Sequence, residues 1–344
     1  MKFYCGIDLH ARDSFVCIID DNDRVLLKER IDNRLELFLY HLNSFTPRPS
    51  VVVESTLNWY WLVDGLMDAG FEVTLAHTLG LYMITGAKVK TDKRDAFNLA
   101  RLLRLDAIPK AYIYPKDKRP TRDLLRKRSR LVTLRAAEYG NVRRMLLQQG
   151  IVSRSLTEIK HLDEEQISHY FEHPIIRCHC LMEIERIHFF TRQVKILEEI
   201  ILGTVEDQPT FELLQTIPGI GKILALTVLY ETGDIDRFPS AKHYSSYSRV
   251  VPGIAQSGNA IKRGRGSKQG NPHLKWAFTQ AATLAIRYYA PIRKFRQNHM
   301  NRRKSRAKKL ISISIVAHKL AIAAYYVQKN QVSYKEELMF RNYQ

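Results

Sequence analysis

Phe3-Tyr4-Cys5-Gly6-Ile7-Asp8-Leu9 and, further along, Val51-Val52-Val53-Glu54-Ser55 are the two stretches on which the fold of this chain turns. Each is a short apolar run of the kind that forms a buried strand, and each keeps one carboxylate, Asp8 or Glu54, toward its end. Burying an unpaired charge is costly, so an acid held in such a strand asks for a reason. Around these two runs, Phe15 to Asp20 and Arg24 to Glu29 read as strands joined by turn residues Asp20-Asp21-Asn22-Asp23. Leu35, Phe38, Leu39 and Leu42 share one helical face, and Pro47 and Pro49 end that pattern. Trp59 to Ala69 is helical, Phe71 to Leu75 a strand, and Asp92 to Leu105 a helix. Periodicity thus predicts an α/β domain over residues 1–108.

Three antiparallel strands followed by strands alternating with helices is also the order of an RNase H-like sheet. The last of its helices opens with Lys90-Thr91-Asp92-Lys93-Arg94-Asp95-Ala96, with Thr91 as candidate N-cap. The i, i+3 spacing sets Asp92 and Asp95 on one helix face. Singly, each acid has an ordinary explanation: a turn, a strand end, or a favourable charge in a first helical turn. Together, Asp8, Glu54, Asp92 and Asp95 suggest a site for a hard cation, because oxygen ligands select magnesium or manganese over zinc.

Pro109, Pro115 and Pro120 mark a polar linker. Beyond it Leu125, Val132, Ala136, Tyr139, Val142 and Leu146 stripe one long helix, and Ile187, Phe190, Val194, Leu197 and Ile201 follow coiled-coil spacing on another. Residues 109–208 therefore read as a linker and helical coiled-coil region, its helices paired within the chain or across a dimer. Residues 209–344 read as a mainly α domain. In it, Ile217-Pro218-Gly219-Ile220-Gly221-Lys222 before an apolar helix resembles a helix-hairpin-helix, whose backbone N–H groups would meet phosphate. Gly253 to Asn271 is glycine-rich and without helical period, a loop or hairpin carrying Ser257, Lys262, Arg263, Arg265 and Lys268.

The 344 residues hold 54 Lys and Arg against 35 Asp and Glu, a formal charge of +19. A surplus of this size suits a polyanion, since each neutralised phosphate releases counterions. Two basic runs add to it: Lys116 to Arg130, including Arg126 and Arg128 on an expected exposed helix face, and Arg293 to Lys309, including Arg302 and Arg303. The four cysteines do not form a disulfide framework, and Arg177-Cys178-His179-Cys180 lacks a second ligand pair for zinc. Asp8 comes too early for a secretory signal, and His318 and Lys319 interrupt the apolar stretch Leu310 to Tyr326, which reads as a packed helix and not a membrane span. The expectation is a prokaryotic cytoplasmic protein without a membrane partner.

Gly-Ile-Asp on a first strand, Val-Glu-Ser after a later one, and Lys-Thr-Asp-x-x-Asp-Ala opening a helix resemble the DEDD tetrad of the transposases of insertion-sequence family one-ten. Relatives in that family include pilin-gene inversion recombinases. Pro252-x-x-x-x-Ser257-Gly258, with Ser267-Lys268-Gln269-Gly270-Asn271 after it, is similar to the family's C-terminal transposase signature. Arg249-Val250-Val251 stands where the family often has Gly-Leu before this proline. The resemblance implies a RuvC-like N-terminal domain with Asp8, Glu54, Asp92 and Asp95 as metal ligands, Mg²⁺ (or Mn²⁺) as cofactor, and Ser257 as nucleophile. It further implies DNA as substrate, a structured guide (bridge) RNA, and a homo-oligomer, dimer or tetramer. A metal-dependent junction endonuclease using water, and a non-catalytic nucleic-acid-binding protein, are the alternatives left by the residues themselves.

Overall fold

The computed structural model describes residues 1–85, 92–152, 155–204, 208–257, 260–264, 269–302 and 306–340, with the backbone alone at 82–85, 92, 93, 253–257, 260–264 and 340. By its contacts the chain divides into two compact units, Met1–Lys116 and Asp117–Gln344.

In the first unit the chain runs β1 (Phe3–Leu9), β2 (Asp13–Asp20), β3 (Val25–Asp32), α1 (Leu35–Asn43), β4 (Ser50–Glu54), α2 (Tyr60–Asp68), β5 (Val73–Ala76), α3 (Thr78–Thr85) and α4 (Asp92–Arg104). The strands lie in the order β3-β2-β1-β4-β5. β1, β2 and β3 are antiparallel, while β1, β4 and β5 are parallel, a mixed sheet compatible with the RNase H-like expectation. The turn between β2 and β3 forms at the expected acids: Asp20 Oδ1 accepts from the backbone N–H of Asn22 (2.8 Å) and Arg24 (2.9 Å). α3 was not expected, because Gly80 interrupts whatever periodic signal its short span carries.

Strand alternation divides the sheet between two layers. Cys5, Ile7 and Leu9 of β1, with Val16, Ile18, Val51 and Val53, face α1 and α2 through Phe38, Leu42, Leu62 and Leu66. The opposite face presents Phe15, Cys17 and Ile19 to Ala96 and Ala100 of α4, and Val52 to Leu99. Fully burying one such side chain stabilises by roughly 1.5–3 kcal/mol, which is why β1, β2 and β4 keep their apolar residues on these faces.

The second unit opens with α5 (Arg119–Gln148), which returns through α6 (Leu156–Lys160) and α7 (Glu164–Tyr170) along α8 (Pro174–Gly203). Ion pairs Arg128–Glu198 and Arg186–Glu138 fix the two long helices as an antiparallel pair within the chain, one of the two arrangements the heptad spacing allowed. Val142, Leu146, Ile159, Ile167, Phe171 and Ile184 close the tip. Of the expected stripe on α5, Ala136 is exposed, so the apolar contact is broken by polar pairs midway.

Then follow α9 (Pro209–Gln215), α10 (Lys222–Thr232), a 3-10 turn at Ile235–Arg237, α11 (Ala241–Tyr247), β6 (Gly253–Ser257), β7 (Ala260–Gly264), α12 (Pro272–Tyr288), α13 (Ala290–Asn301), α14 (Lys308–Asn330) and α15 (Glu336–Phe340). Tyr244, Leu274, Phe278, Ala281, Val316, Leu320 and Ala324 form the core of this helical part. α14 has the length and mean hydropathy (1.7) to cross a membrane. It is nonetheless the core helix expected from sequence, with Val316, Ala317, Leu320, Ala321 and Ala324 buried among its neighbours.

Candidate active site

Asp8 and Glu54 come together through register. β1 pairs with β4 in parallel, Ile7 opposite Val53, so the next step along both strands sets Asp8 beside Glu54. Both side chains lie on the α4 face: Asp8 follows Gly6 by two residues, and Glu54 follows Val52 by two. Gly6 is the closest approach of that helix, since a Cβ there would meet Ala96 O at 2.1 Å and Ala100 N at 2.6 Å. α4 runs opposite to β1. Its C-terminal Arg104 donates to both carboxylate oxygens of Asp23 (2.7 and 3.0 Å), beyond the Asp20 that pairs with Phe3. Its first turn, holding Asp92 and Asp95, is therefore directed toward the Asp8 end of the sheet.

Asp8 is 5% exposed and Glu54 and Asp95 are half-buried. The side chain of Asp92 lies outside the described residues, and among the described residues no three His, Cys, Asp or Glu side chains gather closely enough to hold an ion. The side chains expected here are all carboxylates, a chemistry that fits a hard divalent cation.

Sequence reasoning gave no role to His10, although strand alternation sets it on the same face as Asp8. Its Nε2 lies 3.3 Å from Asp8 Oδ2. Its backbone carbonyl accepts from the side-chain amides of Asn33 (2.8 Å) and Asn58 (2.9 Å), which ties the turn after Asp8 to the segment after Glu54. Nothing in the spacing of the two asparagines announced this clamp.

In the second unit the glycine-rich stretch pairs β6 antiparallel with β7, with Ser257 opposite Ala260 as the last pair. Lys262 and Arg263 lie on β7, where the backbone alone is described; Arg265 and Lys268 lie outside the described residues. The helix-hairpin-helix expectation divides at its glycines. Gly219, at φ +81°, faces α12, where a Cβ would meet Ala281 O at 2.2 Å, so it packs directly on that helix. Pro218 is buried beside it. Gly221 is exposed with nothing near its Cβ position, and with Lys222, also exposed, it begins α10 without a side-chain cap.

The basic face expected on α5 is narrower than its sequence suggests. Arg119 and Arg122 are buried. Arg126 donates from Nε (2.6 Å) and Nη2 (2.8 Å) to the buried carboxylate of Glu231, and Arg128 donates to Glu198 (2.8 and 2.5 Å). Burial pushes the Glu231 carboxyl up, but Arg126 and Asn271 outweigh it and hold it below its ordinary value. Lys118, Lys127 and Arg130 remain exposed. Arg302 is exposed at the end of α13, and Arg303 lies outside the described residues. Two cavities, about 390 Å³ at the helical tip beside Asn141 and His179 and about 340 Å³ along α14 beside Lys319 and Tyr326, are lined by neither the acids nor Ser257.

The comparisons with known proteins agree with this layout. A DEDD transposase model of IS110 elements matches residues 5–150, and the model described as transposase IS116/IS110/IS902 family matches residues 211–297. The chain is 26% identical to the pilin gene-inverting protein of Moraxella bovis, over 96% of this chain and 97% of that protein. It is 23% identical to the transposase for insertion sequence element IS1328 of Yersinia enterocolitica, over 81% and 82%. A putative transposase of Sinorhizobium fredii is 29% identical, but the match covers 57% of this chain and 48% of that protein. With an acid-bearing mixed sheet under one family model and a helical, hairpin-bearing region under the other, the chain carries IS110 family transposase domains and is an enzyme of the transposase and DNA recombinase class.

Proposed function

We propose that this enzyme cuts and rejoins DNA through a serine–DNA intermediate, with a Mg²⁺ site (Mn²⁺ as substitute) formed by Asp8, Glu54, Asp92 and Asp95 and with Ser257 as nucleophile. The observation that carries the reading is the register that sets Asp8 beside Glu54 on the face toward which the acidic first turn of α4 is directed. When bound, the metal would neutralise charge on the scissile phosphate. The Ser257 Oγ attacks phosphorus, the new O–P bond forms, the bond to the 3′-oxygen breaks, and the serine proton passes to that oxygen to leave a free 3′-hydroxyl. Attack by a 3′-hydroxyl on the phosphoserine reverses the step, so strands reseal without ATP because the bond energy is conserved. The tip position of Ser257 supports this role, since the last pair of a hairpin can reach a backbone that flatter surfaces cannot.

Phosphate would meet the open N-terminus of α10 at Gly221 and Lys222, together with Lys262, Arg263, Arg265, Lys268 and Arg302 with Arg303. The remaining parts of the reading rest on the family: a guide RNA that pairs with donor and target DNA, an active dimer or tetramer, and a cytoplasmic prokaryotic setting. Three functional segments, 1–108, 109–208 and 209–344, would then supply the metal site, the spacer and the nucleophile.

The test is a denaturing gel of purified protein with Mg²⁺, element-end DNA and RNA transcribed from the element's flanks. A protein–DNA adduct that Ser257→Ala abolishes supports the reading. Cleavage without adduct in either protein overturns it in favour of a junction endonuclease using water.

A further inference from the structure

β6 and β7 form a sheet of two strands only, held by five residue pairs from Gly253–Gly264 to Ser257–Ala260. A lone two-stranded hairpin is marginal in water, so the direction in which its tip points is set at its feet. The segments that flank it are tied to each other. The backbone N–H of Asn271, after β7, donates to Tyr247 O at 2.6 Å, before β6. Gly270, at φ +97°, passes so close that a Cβ would meet the same Tyr247 O at 2.4 Å. Tyr247 is itself held, with the Arg237 guanidinium 4.5 Å above its ring.

From this point the anchoring runs inward. The Asn271 side chain serves two masters: Oδ1 accepts from the backbone N–H of His273 (2.8 Å) and Leu274 (3.1 Å), capping α12, while Nδ2 donates to Glu231 Oε2 at 2.7 Å. The Glu231 side chain, 1% exposed on α10, takes its other two bonds from Arg126 on α5. One buried carboxylate thus joins α5, α10 and Asn271, whose backbone N–H holds Tyr247 ahead of β6. Stability alone does not require that arrangement, since a buried ion pair is commonly replaceable by apolar side chains of like volume at no loss. Fixed direction is what a three-way, charge-assisted link adds.

We infer that Glu231 is a positioning residue: through Asn271 it holds the foot of the β6–β7 hairpin and so aims Ser257. This rests on Ser257 being the nucleophile. Two variants separate aim from fold. Asn271→Ser keeps an N-cap oxygen for α12 but removes the amide that reaches Glu231, and Glu231→Gln keeps an acceptor for Asn271 where Glu231→Ala does not.

The experiment measures, for the full chain, thermal midpoint, DNA affinity, adduct formation and amide hydrogen exchange of Gly253–Ser257 and Ala260–Gly264. The expected result is that Asn271→Ser melts with the wild type and binds DNA within about twofold, while its hairpin amides exchange about tenfold faster and adduct forms about tenfold more slowly (a difference near 1.4 kcal/mol). Glu231→Gln should recover most of what Glu231→Ala loses. Unchanged hairpin exchange in a folded Asn271→Ser protein overturns the inference, as does adduct formation that merely follows the thermal midpoint across the variants. Adduct surviving in Ser257→Ala overturns the nucleophile assignment, and with it the aiming role. The exchange data would then still report the anchor by itself.

Discussion

Gly6 lies so close to Ala96 that no side chain fits between them: a Cβ on Gly6 would come within 2.1 Å of the Ala96 carbonyl oxygen. Because the obstacle is helix backbone, a larger residue must lift α4 as a body. Gly6→Ala is therefore expected to destabilise the first unit by about 1–3 kcal/mol, the usual cost of overpacking, and Gly6→Val by more. Denaturant unfolding checks the stability. Mn²⁺ binding followed by its magnetic resonance signal should weaken in parallel, since the same helix carries Asp92 and Asp95.

Asp8→Asn and Glu54→Gln preserve shape and remove charge. Each is expected to lower DNA cleavage by about a hundredfold or more, the scale of losing several kcal/mol of metal-mediated charge stabilisation. Nucleic-acid affinity, measured by filter binding, should stay within about twofold, because the basic surface is untouched. A large loss of affinity in either variant would argue that the acids hold the fold and not the metal.

Arg126 and Lys127 are neighbours in sequence with different employment. Lys127 is exposed, whereas Arg126 is bound to Glu231. Lys127→Ala should leave stability nearly unchanged and, if the residue meets phosphate, reduce the slope of log affinity against log salt by about 1. Arg126→Ala leaves a buried carboxylate unpaired and is expected to destabilise by about 3–5 kcal/mol with little change in that slope. Salt titrations of DNA binding alongside thermal melts separate the two effects.

Glu183, buried between α5 and α8, contacts Arg186 (2.8 and 2.9 Å), Asn141 (3.3 Å) and His179 (3.2 Å). Burial pushes its carboxyl up, but the hydrogen bonds with Glu138, Arg186 and Asn141 prevail and bring it down from 4.5 to about 2. A depressed carboxyl stabilises the fold fully above its unfolded value, and that contribution disappears as pH falls through the folded one. Glu138, raised chiefly by burial and by its bond with Glu183, works in the opposite sense and blunts the effect. The helical pair should thus lose stability between pH 4.5 and about 2, and Glu183→Gln should flatten the acid limb seen by circular dichroism.

The first unit was readable because its signals are local. Val51 to Val53 can only be a buried strand in a chain of this composition, and an acid at the end of such a run stands out against it. The parallel pairing of β1 with β4, Ile7 opposite Val53, was not legible there, and it is what sets Asp8 beside Glu54. What could not be read depends on partners far away in sequence. Arg126 meets Glu231 across 105 residues, and no periodicity distinguishes a paired guanidinium from a solvated one. The loop signature of Gly219 does not announce that it packs on the backbone of α12. Asn271 was visible only as part of a motif, and its second bond, to Glu231, has no counterpart in local sequence.

The antiparallel course of α5 and α8 has a consequence for how the chain can change length. Leu125 and Ile201 meet at one end, packed with Leu226 and Tyr230 of α10, so the chain leaves and re-enters the helical core at a single doorway. Everything beyond that doorway is a detour. Removing or adding matched pairs of helical turns on the two arms would alter how far the tip reaches while both ends stay where they are. Reach is thus an independently adjustable dimension of this helical pair.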